Sequence, residues 1–286
     1  MIRPRAMLPL ALAAGLVASG CSLVGAIGTS PYPRHVGAPP ANLNAETVTV
    51  PVRARPPLAG WFVDAEPDAP AVVLLHGHTD TRRQMLSRAR LLADEGYAVL
   101  LVDLPAHGES AGDAVTFGRL ERFAASAAVD WVRQRRPGTR VGVLGISLGG
   151  ASAALAGRYL DADALVMEGA FSTFERALRN RARFLFGPLA PPAEAVLVGQ
   201  VREHLSIPPD SLRPVEALAR TSTPTFVIGG SDDRYTTAEE TRALYAAAPD
   251  PKEVWIVEGA KHEDFLAHAP ETYRQRVLAF LATHLR

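Results

Sequence analysis

Residues 140–156 constrain the fold more than any other stretch. Arg140-Val141-Gly142-Val143-Leu144 is a short β-branched and apolar run, Gly145-Ile146-Ser147-Leu148-Gly149 follows it, and residues 150–156 are rich in helix formers. A strand, a G-x-S-x-G turn and a helix in that order are the signature of a nucleophile elbow. The serine sits on a tight, strained turn, and the flanking glycines let the strand and helix backbones approach closely. The turn lifts the Ser147 hydroxyl above the sheet. It also sets the Leu148 backbone N–H at the start of a helix, where a developing oxyanion can be held. Five residues of this pattern carry little weight by themselves in an alanine-rich chain. The strand before them, the helix after them and the partners downstream give them meaning.

The same strand-then-helix rhythm runs through most of the 286 residues. Residues 46–52 alternate valine with polar residues, and 58–63 read as a second edge strand. The continuous apolar runs 71–75 and 98–102 suit parallel strands buried on both faces. Further strands are expected at 141–144, 164–167, 225–228 and 254–257. Helices are expected over 81–95, 120–136 and 273–284, the first two stopped by Gly96 and by Pro137-Gly138. This order predicts an α/β fold, a mostly parallel eight-stranded sheet with helices on both faces. An apolar content of 48%, a charged content of 21% and zero formal net charge describe a globular domain with no electrostatic reason to bind nucleic acid.

The first 45 residues do not share this rhythm. Arg3 and Arg5 precede a mostly apolar run, 6–17, too short to span a bilayer comfortably, and the small residues Ala18-Ser19-Gly20 suit cleavage. Cys21, the only cysteine of the chain, follows at once, so no intramolecular disulfide can form. Its position resembles the lipobox of bacterial lipoproteins, although Ala18 stands where leucine is usual. That resemblance implies acylation of Cys21 and a lipid anchor in the cell envelope. An ordinary secretory signal is the alternative. The expected division is a signal peptide over 1–20, a flexible tether punctuated by glycine and proline over 21–45, and a folded domain over 46–286.

Within that domain, His76-Gly77-His78, the run from Asp103 to Ser110, the elbow, Gly229-Gly230-Ser231-Asp232-Asp233 and Gly259-Ala260-Lys261-His262 stand at strand ends. With these motifs the chain resembles the α/β-hydrolases, and is most similar to small serine esterases and peptidase-like hydrolases of the Bem46 and serine-aminopeptidase type. Residues 174–218 break the strand–helix rhythm and carry six prolines: Pro188, Pro191, Pro192, Pro208, Pro209 and Pro214. The resemblance implies a cap inserted there, roofing the active site.

Serine needs a base within hydrogen-bond reach to act as a nucleophile. The chain order of this fold is serine, acid, histidine, and the resemblance places the histidine directly after the 254–257 strand, which makes His262 the expected general base for Ser147. The family pattern is a glycine, two residues and the acid; aligning Gly230 in it selects Asp233 as the acid that orients the imidazole, with Asp232 the alternative if Gly229 is the matched glycine. Glu168, at the end of the 164–167 strand, is a further alternative, because some relatives of the fold carry the acid there. Resemblance places a second oxyanion donor on the His78 backbone N–H, beside that of Leu148. The motifs of His76, His78, Asp103 and His107 resemble structural loops of hydrolases, and no metal or other cofactor is expected. Arg176, Arg179, Arg181 and Arg183 open the cap and read either as a basic rim or as a solvated helix face. Phe184, Leu185, Phe186, Leu189, Val196 and Leu197 would suit an acyl or aromatic group, or would pack the cap on the core.

The resulting expectation is a serine hydrolase that cleaves a carboxylic ester of a small-molecule acyl substrate through an acyl-enzyme intermediate. Amide or peptide bonds and thioesters are alternatives for the same triad. A catalytically idle binding lipoprotein on this fold is the alternative of another class.

Overall fold

Period-two alternation along the central strands divides the interior into two cores. The computed structural model describes residues 28–205 and 208–286. Ten strands are present among them: β1 (Tyr32–Pro33), β2 (Glu46–Val52), β3 (Arg55–Val63), β4 (Ala71–Leu75), β5 (Ala98–Val102), β6 (His107–Gly108), β7 (Val141–Ile146), β8 (Ala164–Glu168), β9 (Thr225–Gly230) and β10 (Lys252–Val257). Eight form one sheet in the order β10-β9-β8-β7-β4-β5-β3-β2. β2–β3 and β3–β5 pair antiparallel, and the other neighbours pair parallel.

The helices are α1 (Leu86–Asp94), α2 (Glu121–Arg135), α3 (Leu148–Ala156), α4 (Phe174–Phe186), α5 (Ala190–Leu205), α6 (Pro214–Leu218), α7 (Ala238–Ala247), α8 (Phe265–His268) and α9 (Pro270–Leu285). Ala71, Val73 and Leu75 of β4 join Ala124 and Ala128 of α2 and Ala153 and Ala154 of α3 in one core. Val72 and Leu74 join Ala89 and Leu92 of α1 and Val277, Phe280 and Leu281 of α9 in the other. Both faces of the central strands are therefore covered, which is why their sequences are continuously apolar.

The carboxyl ends of β4, β5, β7 and β8 carry His76, Asp103, Ser147 and Glu168 at or just past the last residue. Asp233 and His262 follow β9 and β10 within five residues. Parallel pairing thus gathers residues far apart in sequence onto one edge of the sheet, where open α/β sheets bind their ligands. α4, α5 and α6 fill the interval between β8 and β9. The tip between α4 and α5 turns at Gly187, whose φ is +51°.

Residues 28–45 depart from the flexible tether read from the sequence. β1 pairs parallel with β6. The Val36 and Gly37 N–H groups donate to Glu109 at 3.0 and 2.9 Å, and Val36 and Leu43 are buried. Glycine and proline content suggested an unstructured linker; a few apolar side chains and backbone groups with partners on the domain fix the segment instead. The proposed leader and Cys21 lie outside the described residues.

Candidate active site

The elbow is strained as its sequence requires. Ser147 has φ 49° and ψ −108°, a conformation most side chains avoid. A Cβ on Gly145 would stand 2.4 Å from the Gly150 nitrogen, and one on Gly149 would stand 2.3 Å from the Leu75 carbonyl oxygen. Only glycine permits α3 to leave β7 at this angle so close to β4. The Ser147 N–H donates to the Glu168 carbonyl at 2.7 Å, tying the turn to β8. Leu148 is the first residue of α3, so its backbone N–H lies at the positive end of the helix.

His262 Nδ1 lies 2.7 Å from Asp233 Oδ2. The same carboxylate accepts from the Tyr235 and Thr236 N–H groups at 2.8 and 2.9 Å and from the Thr236 hydroxyl at 2.7 Å. Burial pushes the Asp233 pKa up, but the hydrogen bond and positive charge of His262 and the Thr236 donors outweigh it and hold the carboxyl below its ordinary value. An ionised Asp233 fixes the ring with Nδ1–H directed at it, which leaves Nε2 as the basic nitrogen. Asp232 is exposed, and its carboxylate accepts from the Ser231 hydroxyl at 3.1 Å rather than from His262.

Glu168 is engaged elsewhere. Its carboxylate takes two hydrogen bonds from Arg88, at 3.1 and 2.6 Å, and one from the Tyr273 hydroxyl. The same Arg88 nitrogen reaches Asp264 at 2.8 Å, two residues past His262. Asp264 in turn caps α8 by accepting from the Leu266 and Ala267 N–H groups. Burial opposes the charge on Arg88, but Glu168 beside it raises the guanidinium pKa further above its ordinary value. This ion network links the histidine loop to the sheet, and the sequence reading did not anticipate it. A signal was present: Arg88 shares the helical stripe of Met85 and Leu92, where an arginine needs a buried partner. Thr236, which also lies 3.2 Å from His262 Nδ1, was likewise missed.

Ser147, Leu148, His78 and His262 line one cavity of about 620 Å³. Phe117, Phe171, Phe174, Leu178, Leu197 and Val201 give it an apolar wall beneath the cap. Gly28 and Thr29, from the N-terminal segment, complete another part of the wall. The Gly28 carbonyl contacts His78 Nε2 at 2.8 Å. Burial, partly opposed by that hydrogen bond, lowers the His78 pKa to about 4. His76 is lowered further, to about 3, by its complete burial and by neighbouring His107. It uses both nitrogens on backbone, Nδ1 donating to the Gly77 carbonyl at 2.7 Å and Nε2 accepting from the Leu104 N–H at 3.0 Å. His107 Nδ1 contacts the Pro105 carbonyl. Asp103 is buried against Arg82 and the Arg82 and Glu109 N–H groups. Among the described residues, no group of three His, Cys, Asp or Glu side chains is placed to hold a metal ion.

A mostly parallel sheet with an elbow serine, and a histidine–aspartate pair on the loops after the last two strands, define a class. The family model for the alpha/beta hydrolase family matches residues 72–276, and the chain belongs to that family. Its sequence is 26% identical over 234 residues to the uncharacterized protein YqkD of Bacillus subtilis (strain 168), covering 78% of this chain and 75% of that protein. It is 29% identical over 196 residues to human protein ABHD12B, covering 66% of this chain and 52% of that one. Among solved structures, esterase Pf2001 of Pyrococcus furiosus superposes with a TM-score of 0.76 at 24% identity, over 90% of this chain and 99% of that one.

Proposed function

We propose that the protein is a serine hydrolase that cleaves carboxylic esters, with Ser147 as nucleophile, His262 as general base and Asp233 as the orienting acid. The 2.7 Å contact between His262 and Asp233, in the cavity that Ser147 opens into, is the observation that carries this reading. His262 Nε2 takes the Ser147 proton as the hydroxyl oxygen attacks the carbonyl carbon. The backbone N–H groups of His78 and Leu148 stabilise the oxyanion. Protonated His262 returns the proton to the leaving alkoxide, and the acyl group remains on Ser147. Water, deprotonated by the same histidine, then releases the acid. The apolar cavity wall favours an acyl or aryl group on the substrate.

The test is intact mass after incubation of the full chain in detergent with a fluorophosphonate, followed by peptide mapping. One adduct on Ser147, absent from the Ser147→Ala variant, is expected. A folded protein that takes no adduct would favour an idle binding protein on this fold.

Export and acylation of Cys21 complete the reading and place the enzyme at a membrane surface in the cell envelope. The Cys21→Ser variant should leave the membrane fraction; unchanged fractionation would count against the lipid anchor.

A further inference from the structure

Five large hydrophobic side chains are exposed among the described residues, and three of them lie within six consecutive positions: Phe184 at 49%, Leu185 at 47% and Leu189 at 55%. Those positions form the tip of the α4–α5 hairpin. Pro188, Pro191 and Pro192 are exposed around them. Within residues 174–203 one 18-residue window is apolar, and 22% of it is buried. A hairpin turned at Gly187 does not span, so this apolar surface stands outward. A soluble domain rarely concentrates exposed apolar side chains in this way without a partner.

Charge and connectivity identify the partner. Arg176 and Arg179 are paired with Glu239 and Glu194. Arg183 is exposed beside Phe184, and Arg181 lies over the Tyr235 ring, 4.8 Å from its centre. Apolar side chains flanked by arginines match the boundary between acyl chains and anionic headgroups. The tip also adjoins the cavity. Leu185 lines it, and the Phe184 ring packs 4.8 Å from that of Tyr235, which lies 5.7 Å from the His262 ring. The chain enters the described structure at the same cavity, through Gly28 and Thr29. Six residues separate Cys21 from Gly28, so seven Cα–Cα steps give a reach of about 25 Å at most. Either an acylated Cys21 or the apolar run 6–17 held in a bilayer would keep the cavity near its surface.

We infer that the α4–α5 tip docks on a lipid bilayer bearing anionic headgroups. On the hydrolase reading above, it delivers to Ser147 an acyl ester drawn from that bilayer. The docking itself does not depend on that reading.

Leu189 lines no part of the cavity, so it can report docking without touching the site. The full-length Leu189→Trp variant, bound to vesicles of anionic and zwitterionic phospholipid with brominated acyl chains, is compared with the parent protein. Quenching well above that of the parent, whose Trp61 is buried and whose Trp131 and Trp255 are partly buried and far from the tip in sequence, is expected. Quenching no greater than the parent's would overturn the proposal, whether a second copy or another protein covers the tip. A double variant, Leu189→Asp with Arg183→Glu, supplies the second measurement. Its fluorophosphonate labelling at Ser147 should be unchanged, while its cleavage of a vesicle-borne acyl ester should fall about fivefold or more for the lost cation alone. Equal cleavage by parent and variant would overturn the delivery role. If quenching is seen in a protein whose Ser147 takes no label, docking stands and the hydrolase reading falls.

Discussion

Asp233 and Leu189 differ in almost every physical respect, although each adjoins residues that line the same cavity, His262 and Thr236 for the first and Leu185 for the second. Asp233 is 3% exposed and its carboxylate accepts four hydrogen bonds, from Tyr235, twice from Thr236, and from His262. Leu189 is 55% exposed on a turn held mainly by its own two helices. The first region is fixed by close-packed strand ends and satisfied polar groups. The second spends apolar surface on solvent. The contrast teaches that the sheet edge fixes its polar side chains by packing and satisfied hydrogen bonds, while the cap tip presents side chains under few such constraints.

Substitutions at the two aspartates offer the largest effect with which to break this comparison. On the proposed hydrolase reading, Asp233→Asn should lower ester turnover by about four orders of magnitude, because an amide at that position no longer holds the imidazole in the productive tautomer. Asp232→Asn should change turnover little. Steady-state kinetics of the two variants decide it, and a reversed ranking would move the acid to Asp232.

Acid should act on the sheet edge well before it acts on the cap. His76 binds its proton with a pKa of about 3 in the folded protein, against about 6.5 when exposed. The unfolded chain is therefore protonated first as the pH falls. Folding stability at this site is fully present above about pH 6.5 and is lost progressively as the pH drops toward 3. His78, lowered to about 4, adds to the same window. Denaturant unfolding across pH 7 to 4 should show the loss, and a His76→Gln variant should show a shallower pH slope. An unchanged slope would mean that the ring is not buried neutral.

The smallest effect belongs to the tip. Leu189→Ser should shift unfolding free energy by less than about 0.5 kcal/mol, as expected for an exposed side chain. A larger loss by thermal or denaturant melting would show that the tip is packed rather than presented.

The ordered N-terminal segment sharpens the picture further. A domain cut at residue 46 would remove Gly28 and Thr29 from the cavity wall and the Gly28 carbonyl from His78. The functional unit of this chain therefore begins before the regular strand–helix rhythm does.

Much of this was written locally. Continuous apolar runs mark the central strands, because burial on both faces demands it, and alternation marks the edge strand β2. Glycines on either side of Ser147 mark the elbow, because no other residue tolerates the approach of α3. Chain order, with the family's placement of its histidine directly after the last strand, ranked His262 first as base. Other features had no local signature. Whether Asp232 or Asp233 faces the imidazole depends on how the loop after β9 turns against the loop after β10. The Arg88–Glu168–Asp264 network joins residues up to 176 positions apart (264 − 88), so only the assembled sheet brings them together. The same holds for residues 28–45. Their composition describes a linker, and their partners at Glu109, Ala106 and Gly108 exist only once β5 and β6 are in place. Sequence determined which backbone could form, since strands, helices and tight turns answer to neighbours a few residues away. Tertiary structure decided which side chains meet, because hydrogen bonds and ion pairs act over a few ångströms regardless of separation along the chain.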